Sequence, residues 1–144
     1  MINILILNGP NLNMLGKREP EIYGTETLDD IKNKCLVKSK QLGFNAEFKQ
    51  SNIEGELVTM IQQSIGVFDG IIINPAAYTH TSIAILDALK MVNVPIIEIH
   101  LSNIFKREDF RKHSYISLIA DIVISGCGSY GYILALEALS NKIK

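Results

Sequence analysis

Two short aliphatic runs, Gly70-Ile71-Ile72-Ile73 and Pro95-Ile96-Ile97-Glu98-Ile99, restrict the possible folds of this chain more than any other feature. Their length suits strands rather than helices, and a run without polar alternation needs cover on both faces. Strands of that kind belong to a parallel sheet wrapped by helices. Each run also ends on a polar group, Asn74 after the first and His100 after the second.

The rest of the chain follows the same alternation. Ile2 to Leu7 is a first strand. Thr27 with Asp30 three residues on is a helix-start signature, and Leu28, Ile31, Cys35, Leu36 and Leu42 recur at helical spacing until Gly43. Phe44, Ala46 and Phe48 alternate with Asn45, Glu47 and Lys49, as in a half-exposed edge strand. A second helix places Leu57, Met60, Ile61 and Ile65 on one face, and a third runs from about Ser82 to Met91. After a polar stretch, Asp121-Ile122-Val123-Ile124 is a fifth strand, Gly126 and Gly128 break it, and Tyr130 to Ile143 is a last amphipathic helix. The pattern predicts five β/α units. Right-handed crossovers then lead to a flavodoxin-like doubly wound, five-stranded parallel sheet with helices on both faces.

All 144 residues fit one catalytic domain, 1–144, large enough to bury a core without staples. The near-zero net charge argues against nucleic acid or a membrane surface as partner, so any anion site is local. Only three arginines, Arg18, Arg107 and Arg111, stand beside eleven lysines, and all three fall outside the segments read as regular helix or strand. A guanidinium forks onto a carboxylate as an ammonium does not. Cys35 and Cys127 form no CxxC pair, and the leading apolar run is too short for a signal peptide or a membrane span, so the expected compartment is the cytoplasm.

Three strand ends bring polar groups to one sheet edge, where open α/β sheets bind ligands: the loop from Asn8 to Gly24, the loop from Asn74 to Ser82, and Glu98 to Asn103. In the first loop Arg18 precedes Tyr23 by five residues, and a guanidinium near a phenol favours the phenolate, a possible base. The loop reads as an active-site lid. Glu98 and His100 share a strand face, where a carboxylate can fix the tautomer of an imidazole and support its cation. His80, near Asn74, is a candidate ligand for a hydroxyl, with helix capping as the bland reading. Asp87 by itself reads as a solvated helix residue, and His113 as structural. Gly9 and Gly16-Lys17 are too far apart for a P-loop, the histidines lack metal-ligand spacing, and no lysine is placed for a Schiff base. Gly126-Cys127-Gly128 leaves open a thiol hydrolase with His100 as base, and a non-catalytic module binding a small anion is a further alternative.

Together the motifs resemble the type II 3-dehydroquinate dehydratases, lyases of the shikimate pathway of aromatic amino acid biosynthesis. The matching blocks are Asn8-Gly-Pro-Asn-Leu-Asn13 with Leu15-Gly16, Arg18-Glu-Pro-Glu-Ile-Tyr-Gly24, Asn74-Pro75 with Ala77 to Ala84, Glu98 to Asn103 with Arg107 and Arg111, His113-Ser-Tyr, and Gly131-Tyr132. The resemblance implies a hydro-lyase that converts 3-dehydroquinate to 3-dehydroshikimate by trans-dehydration through an enolate, without metal or organic cofactor. It implies Tyr23 as the base at C2, Arg18 as the group that lowers the pKa of Tyr23, Asn11 as the holder of an enolate-stabilising water, and His100 as the acid for the C1 hydroxyl. Asn74, His80, Leu101, Ser102 and Arg111 are implied as substrate binders, with Glu98 and Arg107 in support. Asp87 is implied to reach a neighbouring subunit's site, in a homododecamer built from trimers. Two positions depart from the family pattern: Ala76 stands where glycine is common, which matters if that position needs positive φ, and Cys127 stands where an aromatic is more usual.

Overall fold

The first apolar run makes the central region of the sheet. In the computed structural model, which describes residues 1–17 and 20–144 and the side chains of all these except Ile22 and Tyr23, β1 spans Ile2–Asn8. It pairs in parallel with β2 (Phe44–Gln50) on one side and β3 (Gly70–Asn74) on the other. Beyond β3 lie β4 (Ile96–His100) and β5 (Ile122–Ser125), giving the order β2-β1-β3-β4-β5 with every pairing parallel. This is the flavodoxin-like arrangement expected from the sequence.

Four helices cover the sheet, two on each face. Ile4, Ile6, Ile72, Ile97 and Ile99 meet Ile31 and Cys35 of α2 (Leu28–Gln41) and Ala135, Leu136 and Leu139 of α5 (Tyr130–Ile143). The alternate residues Leu5, Leu7, Ile71, Ile73 and Ile96 meet Leu57 and Ile61 of α3 (Glu54–Ser64) and Ile85, Ala88 and Leu89 of α4 (Ile83–Lys90). Each buried aliphatic side chain contributes about 1.5–3 kcal/mol. The period-2 alternation of the strands therefore sends adjacent residues into separate apolar layers. A short helix, α1 (Pro20–Tyr23), lies in the loop between β1 and α2.

Local chemistry sets the helix boundaries. Thr27 caps α2 through the expected box: its hydroxyl accepts from the Asp30 N–H, and the Asp30 carboxylate accepts from the Thr27 N–H at 3.0 Å. The Ser82 hydroxyl accepts from the Ile85 N–H at 3.0 Å and so starts α4.

Two expectations need correction. Ile65 does not extend the buried face of α3: the helix ends at Ser64, Ile65 turns extended (φ −63°, ψ 124°), and its side chain is exposed. Nor are there five β/α units, because the connection from β4 to β5 contains no α-helix. It is made of three 3-10 turns at Ile104–Lys106, Asp109–Arg111 and Ile116–Leu118. This polar stretch has too few apolar residues at helical spacing to pay for a helix against the sheet. Of its residues, Ile104 and Ile116 are the buried aliphatic anchors.

Candidate functional site

The register of the sheet brings the polar strand ends level. Asn8 is paired with Asn74 across β1 and β3, and His100 with Ser125 across β4 and β5. Above this edge lies a cavity of about 360 Å³ whose walls include Asn11, Asn74, His80, His100, Ser102 and Arg111. Leu101 and Arg107 also line it, so Arg107, expected in a supporting role, faces the cavity directly. Asp87 is exposed on α4 and is not among the lining residues. Arg18 lies outside the described residues, as does the side chain of Tyr23.

At the end of β4, the fully buried Glu98 carboxylate hydrogen-bonds the Nε2 of His100. Ser114 donates to its Oε2 and Ser117 to its Oε1, both at 2.7 Å. Burial alone raises the pKa of a carboxyl, but the bonds from His100, Ser117 and Ser114 outweigh burial here and hold Glu98 below its ordinary value. Glu98 therefore remains an anion. With Nε2 engaged, Nδ1 is the His100 ring nitrogen left, among the described residues, to a ligand in the cavity.

The β3 end is built differently. Asn74 is buried, its Oδ1 accepts from the Ala76 N–H at 3.2 Å, and its Nδ2 donates to the Tyr132 hydroxyl at 3.2 Å. Ala76 sits at φ +53°, so the position that differs from the family's glycine does require the left-handed region. Gly9 has a different constraint: a Cβ there would fall 2.3 Å from the Pro75 carbonyl oxygen, so the β1 and β3 loops touch backbone to backbone. Asn11 also has positive φ, +69°, and its N–H donates to Asn52 Oδ1 at 2.9 Å.

The remaining wall carries positive charge. Arg111 Nε lies 3.2 Å from Glu108 Oε2 and Arg107 Nε lies 3.7 Å from Oε1, so one exposed carboxylate links the two guanidiniums. Nδ1 of His80 bonds the His113 carbonyl at 2.7 Å and so carries the hydrogen, which leaves the other ring nitrogen as an acceptor. Burial pushes the His80 pKa down, and the nearby His100 and Arg111 add to that, so His80 is neutral near pH 7. Cys127 is exposed and does not line the cavity. Among the described residues, no group of three or more His, Cys, Asp or Glu is arranged to hold a metal ion. No helix among them is long and apolar enough to cross a membrane.

Sequence reasoning missed Ser114, Ser117, Asn52, Asn8 and Tyr132 as parts of this site. Ser114 and Ser117 share the spacing of one turn, but nothing local indicates that their target is a carboxylate on β4. Tyr132 looks like one more apolar residue on the inner face of the last helix.

Comparison with known proteins gives a consistent result. The family model described as dehydroquinase class II matches residues 2–140. The 3-dehydroquinate dehydratase of Bartonella bacilliformis is 60% identical over 141 residues, covering 98% of this chain and 89% of that protein. That of Bartonella henselae is 63% identical over 139 residues, covering 96% and 94% respectively. The crystal structure of type II dehydroquinase from Propionibacterium acnes superposes with a TM-score of 0.93 at 44% identity, over 98% of this chain and 97% of that one.

Proposed function

The chain belongs to the class II dehydroquinase family, and on that premise we propose that it is a 3-dehydroquinate dehydratase, a hydro-lyase acting in the shikimate pathway. What carries the reading is the placement of His100, backed by the buried Glu98 carboxylate, in one cavity with Asn11, Asn74 and the guanidiniums of Arg107 and Arg111. The substrate has a carboxylate, a ketone and a hydroxyl β to that ketone. Its dehydration needs an anion clamp, a base, a stabiliser for the enolate and an acid.

Tyr23, as phenolate, takes the proton from C2, and the electron pair moves onto the ketone oxygen to give an enolate. Arg18 favours the phenolate by its charge. Asn11 holds a water that hydrogen-bonds the enolate oxygen. The enolate then collapses, the C1–O bond breaks, and His100 delivers a proton to the departing hydroxyl, which leaves as water. Glu98 supports the imidazolium that performs this step, and no lysine imine is involved. Arg111, with Arg107 beside it, clamps the carboxylate, while Asn74, the neutral His80, the Leu101 backbone and Ser102 hold the hydroxyls. Asp87, remote from its own cavity, contributes to the site of a neighbouring subunit in a dodecamer of trimers located in the cytoplasm.

Purified protein given 3-dehydroquinate is expected to produce the ultraviolet absorbance of the conjugated enone. Tyr23→Phe should lower kcat by about 10²–10⁴ while binding persists. Full activity in Tyr23→Phe would sink the assignment of the base. Cys127→Ala should leave turnover unchanged, which separates this reading from a thiol hydrolase.

A further inference from the structure

A line of hydrogen bonds between uncharged groups runs through the buried ends of β1 and β3 and reaches the cavity at Asn74. Asn8 Nδ2 donates to the Lys49 carbonyl at 3.0 Å. The Tyr132 hydroxyl donates to Asn8 Oδ1 at 2.6 Å and accepts from Asn74 Nδ2 at 3.2 Å. Asn74 Oδ1 in turn accepts from the Ala76 N–H at 3.2 Å. Asn8, Asn74 and Tyr132 are 0%, 3% and 0% exposed, so water does not substitute for any member.

Both ends of this line are backbone groups of fixed sense. A carbonyl only accepts, so the Asn8 amide must turn its nitrogen to Lys49 and its oxygen to Tyr132. The single hydroxyl hydrogen of Tyr132 is then committed to Asn8, and only its lone pairs face Asn74. At the far end the Ala76 N–H only donates and requires the oxygen of Asn74. The two constraints agree, and Asn74 has one permitted orientation. Among the described residues, this leaves one amide hydrogen and one oxygen lone pair of Asn74 for a ligand in the cavity. Burial also raises the Tyr132 phenol pKa far above its ordinary value, so the hydroxyl keeps its hydrogen throughout the working range.

We propose that Tyr132 is a positioning residue for 3-dehydroquinate: through its hydroxyl it fixes the amide orientation of Asn74 and hence the donor and acceptor that Asn74 presents to a substrate hydroxyl. The inference rests on the dehydratase reading and on Asn74 as a substrate binder. Tyr132 touches no substrate, since α5 delivers it from beneath the sheet edge, where its ring also packs against Phe48 at 6.0 Å between centroids. In Tyr132→Phe the ring remains, but Asn8 Oδ1 and Asn74 Nδ2 lose their common partner, and only the Ala76 N–H is left to hold the Asn74 amide in place.

The test is steady-state kinetics with 3-dehydroquinate on the unsubstituted enzyme, Tyr132→Phe, Asn74→Ala and the double variant. Leu139→Ala, a core change on the same helix, controls for lost stability. Tyr132→Phe is expected to raise KM about tenfold with a smaller change in kcat, the size of one misplaced hydrogen bond. Leu139→Ala should lower Tm without raising KM. The double variant should have the KM of Asn74→Ala alone, because Tyr132 acts through that residue. If Tyr132→Phe does not fold, Asn8→Ala replaces it: the tyrosine stays packed, its hydroxyl is freed to turn toward Asn74, and KM should again rise. An unchanged KM in the variant used, or effects that add in the double variant, overturns the inference while leaving the dehydratase reading intact. Absence of turnover by the unsubstituted enzyme overturns both.

Discussion

The two faces of the sheet end in polar clusters of opposite character, although both lie at one edge and border one cavity. On the face covered by α3 and α4, β4 ends in a charged cluster, the Glu98 carboxylate hydrogen-bonded to His100 and to Ser114 and Ser117. On the face covered by α2 and α5, β1 and β3 end in the neutral line of Asn8, Tyr132 and Asn74. Both clusters are buried, so each needs its partners to offset the loss of hydration. The charged cluster backs an imidazole with a carboxylate, an arrangement suited to moving a proton. The neutral one holds no such pair and can only orient. On the proposed reading, one sheet edge divides the work between proton transfer on one face and substrate alignment on the other.

The largest test of this division is His100→Ala. It should cut kcat by about 10²–10⁴ and change KM little, since it removes the proposed acid and leaves the neutral cluster in place. A KM effect as large as the kcat effect would break the distinction between the faces. Arg111→Ala should do the reverse, raising KM about tenfold to a hundredfold through loss of the proposed charge-assisted bonds to the substrate carboxylate.

Glu98→Gln sharpens the ionic side. It removes the buried carboxylate that bonds His100 Nε2, so kcat should fall with little change in KM. Tyr132→Phe should do the reverse, with KM the more affected.

Glu98 also makes a prediction for stability. Its folded pKa is depressed below the ordinary 4.5, so the carboxylate favours the folded state at all pH values above 4.5. That support is lost as pH falls through the lower folded value. Denaturation measured against pH should show a steeper acid decline in the unsubstituted protein than in Glu98→Gln, and parallel curves would contradict the depressed value.

The smallest effect is expected at Ala76. An alanine in the left-handed region costs about 1–2 kcal/mol, and a glycine there gives back about 0.5–1 kcal/mol in chain entropy. Ala76→Gly should therefore raise Tm by a few degrees at most, with the Ala76 N–H still bonded to Asn74.

Much of the architecture was legible in the sequence because strands buried on both faces have no polar alternation. The isoleucine runs of β3 and β4 identified a parallel sheet, and Thr27 with Asp30 located the start of α2. The β4 to β5 connection was less legible. Its turns are held by contacts from elsewhere, including the Tyr115 N–H bond to the Thr79 carbonyl at 3.1 Å, and no local periodicity encodes those contacts. In the same way, Glu98 and His100 could be paired from their spacing of two, whereas Ser114 and Ser117 could not be assigned to them.

The sequence by itself determined that Asn74, Glu98 and His100 stand at the ends of buried strands, because strand length and side-chain alternation are local properties. Tertiary structure decided which of these groups are bonded to which. It turned Tyr132 from a packing residue into the hydroxyl that joins Asn8 to Asn74 across 124 and 58 residues of chain. Hydrogen bonds over such separations depend on how α5 docks against the sheet, and the apolar pattern of α5 specifies a buried face without specifying what that face will meet.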